Sequence, residues 1–191
     1  MNEFIEGCIL GDGHLARHAN ARLIYNCKEL EFTQLVATVL QSFNIGGTIN
    51  TKPNGYGTGV TYQLSSHVSP LLTQMHDRWY QTGRKALPHD FLLTPAVANI
   101  WYCGDGGFDS DKGYLRQIKI AVHCFSMPER EFLTNELSQF GFKAKLRGGC
   151  IYISKSSIPS FLEWIGPPPT LCYEYKWRHF DYTSPQPKYR R

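Results

Sequence analysis

Apolar residues at helical spacing alternate with short runs of period-two alternation, and the whole succession occurs twice. In the first half the pattern predicts helices over residues 2–12, 29–43 and 67–79, separated by hairpins over 14–27 and 47–65. In the second half it predicts helices over 95–105, 128–140 and 156–165, with hairpins over 112–126 and 143–155. In QIKIAV, Ile118, Ile120 and Val122 point one way and Gln117, Lys119 and Ala121 the other. In KAKLR, Lys143, Lys145 and Arg147 share a face opposite Ala144 and Leu146. Each sheet is thus expected to pack one side under helices and to carry cations and hydrogen-bonding groups on the other.

The two halves also match as sequence. FIEGCILGDGHL parallels VANIWYCGDGGF, placing Asp12 and Asp105 at corresponding positions, 93 residues apart. KELEF (28–32) parallels PEREF (128–132), QSFNIGGTI parallels SQFGFKAKL, and TYQLSSHVSPLL (61–72) parallels IYISKSSIPSFL (151–162). The expected fold is α/β (α+β): two pseudo-symmetric αββαββα repeats with antiparallel sheets. The boundaries are a first repeat over 1–80, a linker over 81–94, a second repeat over 95–166 and a tail over 167–191. The short, Pro-marked linker suits two halves of one body.

The composition is that of a globular chain, with 42% hydrophobic and 19% charged residues. No apolar run approaches the roughly 18 residues needed to span a bilayer. The N-terminus has no basic region of signal-peptide type, so the expected location is intracellular, with no membrane partner. The six cysteines show no C-x-x-C or zinc-type spacing and are read as reduced thiols. The net charge of +4 is unevenly placed: residues 1–94 hold seven basic and seven acidic residues, and residues 95–191 hold thirteen and nine. A basic second half is compatible with a polyanionic partner.

The repeated Gly-Asp-Gly carries the chemistry. A helix C-terminus bears about half a negative charge, so an aspartate there is electrostatically unfavourable. One such turn would be an ordinary helix stop, but the same arrangement in both halves points to use. Two such helices side by side bring both carboxylates to one place, suited to a hard divalent cation such as Mg²⁺. Gly7 and Gly11 give the first helix a smooth strip for close contact, whereas Ile100 stands where Gly7 has its counterpart.

IEGCILGDG (5–13) and ANIWYCGDG (98–106) resemble the two signature helices of the LAGLIDADG homing endonucleases, in the form that carries both repeats in one chain. The match covers Ile5, Gly7, Ile9, Asp12 and Gly13 in the first copy and Gly-Asp-Gly in the second. The junction MHDRWYQTGRKALPHDFLLTPAVANIWYCGDGG and the succession of elements over about 3–165 also fit. The resemblance implies signature helices at the repeat interface and sheets forming a saddle in the DNA major groove. It implies a monomeric, intron-encoded type of enzyme making a Mg²⁺-dependent staggered cut in double-stranded DNA at a long asymmetric site. It makes Asp12 and Asp105 the metal ligands, with backbone carbonyls of Gly11 and Gly104. It gives Lys155 the part of a basic group near the active site, with Ser65 as its counterpart. Asn26 and Ser126 become polar groups organising water.

Outward strand positions supply the expected base and phosphate contacts: Arg17, Arg22, Asn50, Lys52, Thr61, Gln63, Arg116, Gln117, Lys119, Lys145 and Arg147. Hairpin tips add Asn54, Tyr56 and Lys112. The tail YEYKWRHFDYTSPQPKYRR interleaves aromatics with cations, which suits either DNA backbone contact or packing of Tyr173, Tyr175, Trp177 and Phe180 on the body. DGGFDSDKGYL lacks the closing glutamate of a calcium loop, and GTINTKPNGYGTG lacks the Gly-Lys-Ser/Thr of a P-loop. Two other functions stay open on the same scaffold: an RNA-splicing maturase, with intron RNA as partner, and a DNA-binding regulator that does not cleave.

Overall fold

A computed structural model describes residues 3–53, 59–111 and 114–178. The first repeat runs α1 (Glu3–Leu10), β1 (Gly13–Arg17), β2 (Ala21–Cys27), α2 (Leu30–Ser42), β3 (Gly47–Pro53), β4 (Val60–Ser66) and α3 (Pro70–Trp79). The second runs α4 (Pro95–Asp105), β5 (Gly106–Asp111), β6 (Tyr114–Ala121), α5 (Met127–Gln139), β7 (Ala144–Arg147), β8 (Cys150–Ser154) and α6 (Ile158–Ile165). Each repeat holds one four-stranded antiparallel sheet, ordered β1-β2-β4-β3 and β5-β6-β8-β7. The two orders correspond strand for strand, as a duplicated unit requires.

Local chemistry accounts for most element boundaries. Ser69 caps α3 by accepting from the Leu72 amide at 3.1 Å, with Pro70 in the first turn. Thr94 caps α4 through Val97 at 3.3 Å, again followed by a proline. Period-two burial holds along β2, where Ala21, Leu23, Tyr25 and Cys27 are buried and the residues between them are not. These inward residues join Leu64, Ile118, Ile120, Ile151 and Ile153 in a core under the helices.

One hairpin differs from expectation. The first hairpin of the second half occupies 106–121 rather than 112–126, because β5 begins directly after Asp105. Gly106 and Gly107 have no side chains, so Phe108 is the one apolar residue of that strand and no alternation is visible in sequence. The pairing of Gly106 with Ile120 and of Phe108 with Ile118 makes it a strand. The 122–126 stretch is instead a turn into α5, and α3 and α6 start two to three residues later than the pattern suggests.

The two sheets meet through α1 and α4. The approach is closest at Gly7, where an added methyl carbon would lie 2.6 Å from Ile100 Cβ and 2.8 Å from the Val97 carbonyl oxygen. Ile100 therefore fills the strip that Gly7 leaves open, which resolves the mismatch between the two signature copies. At the far end of α1, buried Glu6 pairs with Arg78 at 2.6 Å, and Arg78 also holds Asp90 at 2.8 Å. That clasp ties α1 to α3 and to the linker. Past α6, a short 3-10 turn, η (Leu171–Lys176), packs back across both repeats. Among the described residues no helix is long and apolar enough to cross a membrane.

Gly7→Ala should lower stability by roughly 1–3 kcal/mol, since the methyl meets backbone as well as side chain. Gly107→Ala, where an added methyl meets nothing within 4 Å, should leave the denaturant midpoint unchanged or raised. Chemical unfolding of the two variants against wild type checks both outcomes.

Candidate active site

Asp12 and Asp105 come together at the C-terminal ends of α1 and α4. Each carboxyl lies against the glycine preceding the other acid. A methyl carbon placed on Gly104 would sit 3.1 Å from Asp12 Oδ2, and one on Gly11 would sit 3.8 Å from Asp105 Oδ2. The arrangement is reciprocal, as a pseudo-twofold axis between the helices demands. Asp105 is half-buried, while Asp12 is exposed.

The electrostatics are those of a crowded like-charge pair. Burial, then the charge of Asp12, pushes the Asp105 carboxyl up to about 7; Lys85, the Trp101 indole and Lys176 act in the opposite direction. Trp101 Nε1 lends its dipole without closing a hydrogen bond of normal geometry. Although Asp12 is exposed, the cleft walls displace much of the water around its carboxyl. This desolvation raises its pKa against the opposing pull of Lys176 and Lys85.

Two lysines outside the expected site residues, Lys85 of the linker and Lys176 of the cationic tail, make the pair tolerable. Lys85 Nζ donates to the Gly11 carbonyl at 2.8 Å and to the Gly13 carbonyl at 3.3 Å. Lys176 Nζ donates to the carbonyls of Cys103 and Gly106, each at 2.6 Å, and of Tyr102 at 3.3 Å. Each ammonium thus bonds carbonyls at and just past the end of one signature helix and offsets its negative pole. Burial lowers the pKa of both lysines, and Asp12 and Asp105 both counter that shift. A sequence signal existed: Lys85 lies 85 − 12 = 73 positions after its acid and Lys176 lies 176 − 105 = 71 after its own. The offset between the lysines, 91, nearly equals the offset between the acids, 93.

The turn η delivers Lys176, and residues of the first repeat hold it. Glu31 of α2 accepts from the amides of Leu171 and Cys172 at 3.2 and 3.0 Å. Tyr173 hydroxyl meets Cys27 Sγ at 3.2 Å, and its ring packs edge-on against Phe32. Trp177 donates to the Gly166 carbonyl at 2.6 Å and packs on Tyr102. Tyr173 and Trp177 therefore pack on the body, Tyr175 is exposed, and Phe180 lies outside the described residues. All six cysteines are free.

The other expected site residues divide. Asn26 lines the same cavity of about 350 Å³ as Asp12, Gly104, Thr61 and Lys176. Its Oδ1 accepts from Gln63 Nε2 at 2.8 Å. The Gly11 carbonyl is held by Lys85, and Gly104 serves as the seat of the Asp12 carboxyl. Lys155 is displaced from its expected place. Cys150 pairs with Ala121 at the Asp105 end of the sheet, and β8 runs away from that end. Lys155 is thus roughly 15 Å along the strand direction from it. Register also makes Tyr152, not Lys155, the counterpart of Ser65, since each pairs with the equivalent β2 or β6 residue, Ile24 or Lys119. Ser126 is not among the residues that line this cavity. Its amide and hydroxyl donate to Glu129 at the start of α5, while the other Glu129 oxygen accepts from the Leu87 amide at 2.7 Å.

On the sheets, Arg22, Asn50, Lys52, Thr61, Gln63, Gln117, Lys119, Lys145 and Arg147 stand on the face away from the core. Arg17 does not: it shares the parity of buried Leu15 and forms an ion pair with Asp77 of α3. Asn54, Tyr56 and Lys112 lie outside the described residues, as does the side chain of Arg116. Tyr152, whose parity the sequence left open, faces outward under the Arg147 guanidinium, 4.4 Å from its ring centre.

A duplicated αββαββα body with paired acids at its helix seam defines a class of DNA-handling proteins. This chain belongs to the LAGLIDADG DNA endonuclease family, whose profile matches residues 2–161. A relative from Methanocaldococcus jannaschii, the uncharacterized protein MJ1098, is 27% identical over 152 residues, which is 76% of this chain and 59% of that protein. The chain thus spans less than two thirds of that relative. In fold it is similar to the homing endonuclease I-WcaI bound to its DNA recognition sequence, with a TM-score of 0.77 at 19% identity over 91% of this chain and 84% of that one. It is also similar to I-DmoI in complex with DNA and Mn, with a TM-score of 0.55 at 16% identity over 85% and 94% of the two chains. The N-terminal LAGLIDADG domain of DUF199/WhiA gives a TM-score of 0.58 at 12% identity over 91% and 84%.

Lys176→Met should cost at least about 2 kcal/mol of stability, because it strands buried carbonyls beside two acids. Lys85→Met should act in the same direction at the other helix end. Thermal unfolding in chelator, with no DNA present, reads both.

Proposed function

We propose that this protein is a site-specific endonuclease that hydrolyses both strands of DNA in a divalent-cation-dependent reaction, leaving a staggered cut within a long asymmetric target. The observation that carries the reading is the reciprocal seating of Asp12 and Asp105 on Gly104 and Gly11.

The donor set suits a hard cation. Among the described residues no third acid, histidine or cysteine joins the pair to complete a protein-built metal cage. Two carboxylates alone match Mg²⁺, which keeps several waters and shares its shell with substrate phosphate. The raised Asp105 pKa has the same sense: burial, and then the charge of Asp12, disfavours its carboxylate, and a bound cation would relieve both. Bound there, the cation would supply an activated water and stabilise the leaving oxygen. Asp12 and Asp105 would hold it. Asn26, in the same cavity, would orient water through its amide. Lys85 and Lys176 are positioning residues: by fixing the carbonyl ends of α1 and α4 they fix the two acids.

The outward faces of the two sheets form the DNA-binding saddle. A ribbon of strands fits the major groove, and Arg22, Lys52, Lys119, Lys145 and Arg147 give it positive charge. The two repeats carry different residues at equivalent positions, so one chain is proposed to act as a monomer on an asymmetric site. The neighbouring structures of I-DmoI, solved with DNA in the presence of Mn and of Ca, are consistent with a divalent cation at such a seam.

Incubation with a random duplex library should yield defined cut ends with Mg²⁺ and none with chelator. Asp12→Asn and Asp105→Asn should each abolish cutting while retaining binding. Asp105→Asn should also raise the melting temperature of the metal-free protein, since it removes one of two crowded charges. A library bound without cut ends would favour the maturase or regulator reading. Affinity should fall steeply with salt through counterion release; a flat response would argue against the saddle.

A further inference from the structure

The register of the two sheets places their outward side chains in equivalent rows counted from the acids. Gly13 pairs with Tyr25, Tyr25 with Leu64 and Leu64 with Ile49 in the first repeat. Gly106, Ile120, Ile151 and Leu146 align in the same way in the second. The outward row beside them is Asn26–Gln63–Asn50 in the first repeat and Ala121–Cys150–Arg147 in the second. In that row one sheet presents three amides, while the other roots Arg147 beside Ala121 and the buried Cys150. The Arg147 guanidinium itself reaches outward over Tyr152 toward Gln117, farther along the strands from the acids.

We infer that the two repeats read the base pairs flanking the cleavage centre by different chemistry: the Asn26–Gln63–Asn50 row selects adenine, and Arg147 selects guanine. This rests on the endonuclease reading and says how its target becomes asymmetric.

Both readers are set before DNA arrives. The 2.8 Å bond from Gln63 Nε2 to Asn26 Oδ1 fixes the orientation of both amides. It leaves the Asn26 amide nitrogen as donor and the Gln63 oxygen as acceptor. Adenine offers the complement in the major groove, an acceptor at N7 and a donor at N6. In the second repeat Arg147 lies on the Tyr152 ring and donates to Gln117 Oε1 at 2.9 Å. Gln117 in turn donates to Asp109 Oδ2 at 2.6 Å, which fixes its amide. Stacking and one hydrogen bond hold the guanidinium plane while its other N–H groups remain for the O6 and N7 of guanine. A side chain so held loses less entropy on binding than a free arginine. Lys119 and Lys145, in the next row with Tyr152, suit phosphate contacts, which carry no sequence information.

The test is selection of bound duplexes from a random library by the full-length protein with Ca²⁺ in place of Mg²⁺, followed by sequencing. The expected consensus has an adenine column on one side of its centre and a guanine column on the other. Arg147→Ala should reduce discrimination at the guanine column alone, by roughly 5- to 150-fold. Gln63→Leu should do so at the adenine column alone. Asp109→Ala should weaken the guanine column partly without touching the adenine column, a change of base preference that a structural role would not produce. A consensus with the same base in both columns, or a guanine column that survives Arg147→Ala, overturns the inference. Enrichment of no sequence overturns it together with the endonuclease reading. The expected columns in a protein that makes no cuts with Mg²⁺ would uphold it while the endonuclease reading fell.

Discussion

Two carboxylates stand at the carbonyl ends of two helices that touch, and the rest of the molecule is arranged to make that bearable. Each helix end already carries partial negative charge, and each acid adds to it with its carboxyl lying against the glycine that precedes the other acid. Lys85 and Lys176 answer from below, each bonded to the carbonyls of one helix end. Among the described residues neither acid forms a direct ion pair, and both stay open toward the cleft. A salt bridge straight to Asp12 or Asp105 would have solved the same electrostatic problem and closed the site.

The lysines explain why each repeat needs the segment that follows its last helix. Lys85 belongs to the linker, so the connection between the repeats is also a piece of the site. Lys176 belongs to the turn η, which Glu31, Cys27 and Phe32 of the first repeat hold in place. The end of the described chain therefore crosses the seam and fastens the two halves around it. The Glu6–Arg78–Asp90 clasp does comparable work at the opposite end of α1. Between these ties the helices approach so closely at Gly7 that only a hydrogen fits opposite Ile100.

Duplication supplies the frame, and divergence supplies the difference between the halves. The strand orders match, the acids match and the supporting lysines match. The outward rows do not: amides at Asn26, Gln63 and Asn50 stand where the other half has Ala121, Cys150 and Arg147. Buried positions keep their type because they must pack, while exposed strand positions are free to specialise without cost to the fold.

The elements, their order and the duplicated acids could all be read from the sequence, because period, turn residues and internal repetition are properties of neighbours along the chain. That legibility failed where the signal needed a partner strand. Gly106-Gly107-Phe108 shows no alternation, and only pairing with Ile118 and Ile120 makes it a strand. Arg17 and Lys155 are ordinary basic residues beside strands; the fold turns one toward Asp77 and carries the other to the wrong end of β8. Ser126 reads as a polar strand end, yet Glu129 three residues on makes it a helix cap. Lys85 and Lys176 sit in segments that look like linker and tail. The sequence determined that two acids recur at two helix ends, since that pattern is local and repeated. Only the tertiary structure decided which cations stabilise them, because a lysine more than seventy residues from its acid meets that helix end solely through the packing of everything between.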